Sequence, residues 1–206
     1  MTTPKAHQPI FAKLDLLGSY HIAYALRAAD IIGVTAGIKP ACFVDFENNE
    51  KNAQIWDYIG GELAQDIKDL GLKVDRKNAV HEGIRRKNFS IAKTQAAAEK
   101  TTKLFEKLLE SERCGKEHSR IDQAIGKILG YPESAIAYYC KRQKHYEKTG
   151  ELWPFIKKYR FFAHSPEKQD SEFAAYDRKI YDATKSHLPL SWQLIHQDNI
   201  KNHKKI

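Results

Sequence analysis

Apolar residues recur at helical spacing in two stretches of the first third of the chain. In the first stretch the positions on one helical face are Leu14, Leu17, Tyr24, Ala28 and Ile31, and Gly33 follows as a predicted stop. In the second they are Trp56, Ile59, Leu63, Ile67 and Leu70. Asn48 or Asn49 can cap this helix and Gly71 can end it, although Gly60 and Gly61 weaken its middle. We predict two amphipathic helices before residue 72.

Two short β-prone runs flank the second of these helices. Pro40 opens an apolar run that continues to Phe46, and the residues from Leu72 to Asp75 alternate between apolar and polar. Strand, helix and strand in this order are compatible with one right-handed βαβ unit. The pattern therefore predicts a small sheet in the N-terminal half of the chain.

Beyond residue 93 the pattern is helical. Helices are predicted over 94–112, 121–129, 133–148 and 171–185, the last of them broken before Pro189. The charged segment 111–117 contains Gly115 and is a candidate boundary. We predict an α+β fold that is predominantly helical, with an α/β part at 1–112, a helical and basic part at 117–200, and a basic tail at 201–206. The two parts form either separate units or one continuous domain.

Composition and charge narrow the class of protein. The 206 residues are 42% hydrophobic, which is typical of a folded chain. Lys and Arg number 34 against 26 Asp and Glu, and the net charge of +8 favours an anionic partner such as DNA or RNA. The most apolar stretch, 14–34, is interrupted by charged residues, so we expect no membrane span, no secretion and a cytoplasmic location. The oligomeric state is left open.

The cysteines do not indicate a metal site. Cys42, Cys114 and Cys140 are widely spaced and include no CxxC pair, which is typical of reduced and mostly buried thiols. The chain also contains no HExxH, Walker, GxGxxG or GxSxG motif, so no particular cofactor is indicated.

The segment from Gln123 to Tyr139 resembles the helix-turn-helix of DNA-binding proteins. Gly126 is the small residue where the two helices would meet, and Gly130 is the glycine of the turn. The apolar residues that would hold the second helix in place are Ile125, Leu129 and Ile136. The resemblance implies that the second helix offers Glu133, Ser134, Ala137 and Tyr138 to a DNA groove, with Lys141, Arg142 and Lys144 near phosphates. The alternative is a helix pair that packs in the core.

A shorter segment within this region carries a second resemblance. Leu-Gly-Tyr-Pro, from Leu129 to Pro132, is similar to a segment in a family of uncharacterised prokaryotic proteins in which a cysteine pair is expected to follow. Here Glu133 and Ser134 occupy those two positions, so thiol chemistry is not expected. This resemblance implies no function.

Basic and aromatic residues alternate after the turn. Aromatic rings can stack on unpaired bases while cations follow phosphates, so this mixture is typical of a surface for single-stranded nucleic acid. The cations that we predict to contact nucleic acid, with Ser134 and Tyr138, are Lys141, Arg142, Lys144, Lys148, Lys157, Lys158 and Arg160. The alternative is that the aromatic rings belong to the core and the lysines to a solvated face. A separate cluster, Arg85, Arg86 and Lys87, lies in a predicted loop and can hold a phosphate.

An enzyme is the second hypothesis. Asp45 and Glu47 follow the first predicted strand, and His81 and Glu82 lie in a later predicted loop. Acids at the end of a strand can bind a metal or act as a base, so a small α/β enzyme with a phosphorylated or nucleotide substrate, including a metal-dependent nuclease, is the alternative. The same acids also fit an ordinary turn with helix-capping groups. A third hypothesis is an adaptor whose basic face contacts an acidic protein.

Overall fold

Helices and a three-stranded sheet alternate in the first half of the chain, and the described residues after the sheet form helices only. The computed structural model describes residues 7–48, 53–81, 83–113, 119–151, 171 and 176–203. Its elements are α1 (Gln8–Ser19), α2 (Ile22–Thr35), β1 (Ala41–Glu47), α3 (Ala53–Gly61), α4 (Leu63–Asp69), β2 (Lys73–His81), β3 (Ile84–Ala92), α5 (Gln95–Arg113), α6 (Ser119–Ile128), α7 (Glu133–Thr149), α8 (Arg178–His187) and α9 (Pro189–His203). The predominantly helical α+β fold is as predicted.

The sheet has the strand order β1–β3–β2, and both pairings are antiparallel. The predicted strands β1 and β2 therefore run in the same direction, but they are not neighbours, because β3 lies between them. A two-residue connection joins β2 to β3, and Gly83 provides its positive φ of 79°. The prediction that Arg85, Arg86 and Lys87 lie in a loop is wrong, since all three belong to β3. Three consecutive cations hide the apolar alternation by which a strand is identified.

The sheet is covered by helices on both faces. One face gives Val44, Phe46, Phe89 and Ile91 to the main core, where they join apolar residues of α1, α2, α3 and α4. On the other face α5 packs through Ala98, which contacts Ala41 and Ala92, and through Phe105, whose ring stacks on that of Phe43 with centroids 3.9 Å apart. Burying both faces of a short sheet is what makes it stable in so small a fold.

The predicted helices of the first third are each broken in two. The first is interrupted at Tyr20 and His21, and the His21 imidazole caps α2 by accepting a hydrogen bond from the Ala23 amide at 3.2 Å. The second is interrupted at Glu62, directly after the two glycines that weaken it. Gly33 does not end α2, which continues to Thr35. A Cβ at Gly33 would lie 3.1 Å from the side chain of Lys39, so this glycine makes room for that side chain.

The last two helices pack against the first two. Leu188 belongs to the main core together with residues of α1 and α2. The Asp15 carboxylate in α1 accepts hydrogen bonds from the backbone amides of Leu190 and Ser191, at 3.0 and 2.8 Å, and thereby caps α9. This cap joins the end of the chain to its beginning. Residues 114–118 lie outside the described residues, and the boundary between 1–112 and 117–200 stays a prediction.

The C-terminal end is more helical than expected. The helix α8 stops before Pro189, as predicted, but α9 continues to His203, so residues 201–203 of the predicted basic tail are helical. Cys42 and Cys140 are free and buried, and Cys114 lies outside the described residues. Within the part of the chain that the structure describes, no helix combines the length and apolar character needed to cross a membrane.

Candidate nucleic-acid interface

The side chains of β3 project alternately to the two faces of the sheet, so Arg85, Arg86 and Lys87 do not all lie on the same face. Arg85 and Lys87 stand opposite Val80 and Asn78 of β2 and share their face, whereas Arg86 points to the other face. Consecutive residues of a strand project in opposite directions, so Arg85 and Lys87 lie on one face and Arg86 lies on the other. Their surroundings differ accordingly.

The face that carries Arg85 and Lys87 contains an open cleft of about 410 Å³. We call it the cationic groove, and its lining residues are Trp56, Arg76, Asn78, Ala79, Val80, Arg85, Arg86 and Lys87. Trp56 comes from α3, and the others come from the β2–β3 hairpin. Four of these eight residues carry a positive charge and none of them is acidic.

Lys87 is held in the groove by α3. Its ammonium lies 4.2 Å from the centroid of the Trp56 ring and 3.5 Å from the Trp56 carbonyl oxygen. A Cβ at Gly60 would overlap the ammonium, so glycine is what allows the lysine to lie against the helix. Desolvation lowers the pKa of Lys87, and the nearby Arg76 charge lowers it further, whereas the Asp57 carboxylate opposes them. The positive charges of Lys87 and Arg76 are therefore close enough to repel each other, and Lys87 is also partly desolvated.

Two of the three arginines that line the groove, Arg76 and Arg85, make no ion pair within the described residues, whereas the third, Arg86, is paired with Asp45 and Glu47. Arg76 and Arg85 are exposed, and neither has a described carboxylate within 4.0 Å. The Arg76 guanidinium lies 6.0 Å from the centroid of the Phe89 ring. Both guanidinium groups are available to a ligand that carries negative charge.

The opposite face holds a compact ion cluster. Arg86 contacts the Asp45 carboxylate at 3.3 Å and the Glu47 carboxylate at 2.6 Å. Arg27 of α2 forms an ion pair with Asp45 and also donates to the Asp45 backbone carbonyl. Each of the two acids proposed as catalytic thus contacts at least one arginine. The structure assigns them an evident structural role, which sequence reasoning missed because Arg27 lies on a separate helix.

The backbone of His81 is separated from these acids by a strand. It ends β2, whereas Asp45 and Glu47 belong to β1, and β3 lies between the two strands. Residues on strands that flank a third are about 10 Å apart at the closest, since neighbouring strands are about 4.8 Å apart. Glu82 lies outside the described residues. In the described part of the chain no three His, Cys, Asp or Glu side chains are grouped closely enough to hold a metal ion.

The helix pair α6–α7 has the close contact expected at Gly126. A Cβ there would lie 2.7 Å from Ile136 of α7, and Ile125, Leu129 and Ile136 are buried. Gly130 ends the first helix with a φ of 77°, a backbone conformation that favours glycine. These contacts occur in a core helix pair as well as in a DNA-binding motif. The resemblance to helix-turn-helix proteins therefore stays a prediction.

The predicted contact residues of α7 differ in exposure. Lys141, Lys144 and Lys148 are exposed, whereas Ser134 and Tyr138 are half-buried. Arg142 is only 8% exposed, so its side chain offers little surface to a phosphate, and its predicted contact stays a prediction. It falls on the side of α7 that faces the protein, as does Cys140. Lys157, Lys158 and Arg160 lie outside the described residues.

Of the eight lining residues, only Arg85, Arg86 and Lys87 were predicted to bind a phosphate, and the two most informative of the others are Trp56 and Arg76. Trp56 was assigned only to the apolar face of a helix, and Arg76 was not assigned at all. Arg76 reaches the groove because β2 pairs with β3, and Trp56 reaches it because α3 lies against Lys87. The signal that could have revealed this pairing is Gly83, which lies in a two-residue connection between two nine-residue strands.

Comparisons with protein-family models, known proteins and solved structures find no match to this chain. No function can therefore be transferred from a relative.

Proposed function

We propose that this protein binds nucleic acid and that the cationic groove holds the phosphates. The observation that carries the proposal is the convergence of Arg76, Arg85 and Lys87 on one cleft, with no carboxylate within ion-pair distance of any of them among the described residues. Clustered cations repel one another, and Lys87 is also partly desolvated. A polyanion would relieve this repulsion and release its own counterions on binding.

The shape of the groove favours a single strand. It is a cleft between α3 and the end of the β2–β3 hairpin, and its volume of about 410 Å³ suits a backbone segment of one strand. Residues two apart on β3 project to the same face about 7 Å from each other, which is comparable to the distance between successive phosphates. Arg85 and Lys87 are such a pair. The groove thus offers cations at the repeat of a nucleic-acid backbone.

A second surface for the same function lies on α7. Lys141, Lys144 and Lys148 are exposed and follow each other at intervals of three and four, so they share one side of the helix. The sequence analysis predicts this surface as part of the contact with nucleic acid. It is convex and contains lysines only, whereas the groove is concave and contains arginines, which bind phosphates in a bidentate manner.

Fluorescence anisotropy can distinguish the two surfaces. Labelled single-stranded DNA, RNA and duplex DNA would be titrated with wild-type protein over a series of salt concentrations. The first variant combines Arg76→Glu and Arg85→Glu, and the second combines Lys141→Glu and Lys144→Glu. Lys179→Glu, an exposed lysine on α8, is the matched control for a change of charge alone.

We expect the groove variant to weaken single-strand binding by at least about tenfold and to lower the dependence of affinity on salt by roughly one unit of slope for each lost phosphate contact. The control should change affinity by less than about twofold. A loss confined to the α7 variant would move the interface to that helix. Absence of salt-dependent binding in the wild-type protein would contradict the proposal.

A further inference from the structure

A second cavity lies on the opposite face of the sheet, beneath α5. It measures about 140 Å³ and is smaller and more enclosed than the cationic groove. Its wall includes Phe43, Asn88, Ser90, Thr102, Phe105 and Leu109. Two charged residues, Lys77 and Glu106, also line it and form an ion pair at 3.4 Å, so they add no net charge to the wall. Neither the proposed phosphate contacts nor the ion cluster of Arg86 uses these side chains.

The wall combines aromatic and polar groups. Phe43 and Phe105 are stacked with their ring planes 11° apart, and Leu109 at the rim is 39% exposed although it is apolar. The hydroxyls of Ser90 and Thr102 satisfy each other through a hydrogen bond of 2.8 Å. Asn88 differs from them, because its Oδ1 is buried and has no hydrogen-bond partner among the described residues. Such an acceptor lowers stability unless a ligand or a water satisfies it.

The groove and the cavity meet at the edge of the sheet. Asn78 and Ala79 of β2 line both of them. Since β2 is an edge strand of the described sheet, the passage between the two crosses a single strand. A ligand that lies in the groove can therefore reach the cavity by passing over Asn78 and Ala79.

We infer that the cavity receives one base of the strand whose phosphates lie in the cationic groove. This inference rests on the proposed function and adds that the protein contacts an unpaired base. A cavity of about 140 Å³ suits one planar ring system and is too small for a drug-sized ligand. Apolar and aromatic walls favour burial of the ring, and the Asn88 amide can turn to offer its oxygen or its nitrogen to the edge of the base.

The inference excludes a duplex as the preferred ligand. A base in a duplex is stacked and paired, and removing it from the helix costs free energy that a single strand does not have to supply. The groove alone would bind phosphates of any strand. The cavity adds a preference for strands that carry bases over strands that carry phosphates only.

The test compares two labelled single strands of the same length, one with bases and one with abasic sites throughout, in the anisotropy assay at several salt concentrations. The two strands carry the same phosphates, so the groove acts equally on both. We expect the wild-type protein to bind the base-containing strand about tenfold more tightly, since stacking contributes that order of affinity. This comparison requires no variant and is therefore independent of any effect on folding.

Variants then locate the base. Leu109→Ala and Asn88→Ala should each lower the ratio of the two affinities roughly threefold while leaving the salt dependence unchanged. Leu190→Ala is the control, since Leu190 is 46% exposed and lies on α9. Circular dichroism would show whether each variant is folded.

The test distinguishes failure of the base cavity from failure of the groove proposal. Equal, salt-dependent binding of the two strands would overturn the base cavity and leave the groove proposal standing. No salt-dependent binding of either strand would overturn both. A preference for bases that folded Leu109→Ala and Asn88→Ala proteins retain in full would place the base elsewhere and would also overturn this inference.

Discussion

The two faces of β3 carry the same kind of residue in different surroundings. On one face Arg86 meets Asp45 and Glu47 of β1 and is part of a local ion cluster with Arg27. On the other face Arg85 and Lys87 line a cleft with Arg76 and Trp56, and none of the described residues that line this cleft is acidic. Adjacent positions of one strand thus lie in different electrostatic environments. The comparison shows that a run of cations has no single function until the pairing of its strand is known.

The ion cluster should matter for stability and the groove should not. Asp45→Ala leaves Arg27 and Arg86, whose side chains are 25% and 28% exposed, without their shared partner. We expect it to lower the free energy of unfolding by about 2–3 kcal/mol, less than for a fully buried pair. Arg85→Ala should change it by less than about 0.5 kcal/mol. Urea denaturation measures both, and similar losses would contradict the contrast between the faces.

For binding we expect the opposite order, with a larger effect from the groove than from the ion cluster. Arg85→Gln should weaken affinity for a single strand by about threefold to tenfold, because it removes a guanidinium that has no carboxylate partner in the described chain. Arg86→Gln should have a smaller effect on the affinity of the folded protein, because Arg86 is already bound to Asp45 and Glu47. Anisotropy at one salt concentration suffices. A larger loss for Arg86→Gln would show that Arg86, which also lines the groove, makes the stronger phosphate contact, and it would contradict this prediction.

Two neighbouring glycines provide a finer test of how Lys87 is placed. A methyl group at Gly60 would overlap the Lys87 ammonium, whereas a methyl group at Gly61 would meet nothing within 4 Å. Gly61→Ala should therefore stabilise the protein by about 0.5–1 kcal/mol through helix propensity and leave binding unchanged. Gly60→Ala should stabilise it less and weaken single-strand binding about twofold, since the ammonium moves. Equal behaviour of the two variants in both assays would show that the position of Lys87 is unimportant.

The smallest expected effect concerns the protonation of Lys87. Its pKa is lowered by desolvation first and by the Arg76 charge second, so Arg76→Gln should move the pKa back toward the ordinary value of 10.5 without reaching it. Because the folded state has the lower pKa, the unfolded chain binds more protons at alkaline pH. The contribution of Lys87 to stability therefore rises with pH between its lowered pKa and 10.5. Titration of the lysine by NMR measures the shift, and an unchanged pKa in Arg76→Gln would contradict it.

Much of the fold follows from local patterns. The apolar spacing predicts α5 and α7 closely, and Pro40 with the β-prone run after it predicts β1. The strand β3 could not be found in this way, because the run from Arg85 to Asn88 in its outer half is polar on both faces. Such a segment is stabilised as a strand by pairing with β1 on one side and β2 on the other, which is a non-local interaction.

The candidate site depended even more on distant contacts. The cluster of Arg85 and Lys87 was visible as charge, but its partners Trp56 and Arg76 come from α3 and β2. The acids Asp45 and Glu47 were visible as chemistry, but Arg27 and Arg86 contact them. Arg142 was assigned to a basic surface, and its burial depends on how α7 packs. In each case the sequence showed the type of residue, but it did not show which residues surround it in the fold.

By itself the sequence determined the helical class, the positions of the stronger helices and the positive charge, because spacing, caps and composition are local properties of the chain. Only the tertiary structure decided which cations are neutralised within the protein and which face a cleft. The physical reason is that an ion pair is formed across space: the pairing of β1 with β3 brings two carboxylates to Arg86, and the pairing of β2 with β3 brings none to Arg85 and Lys87.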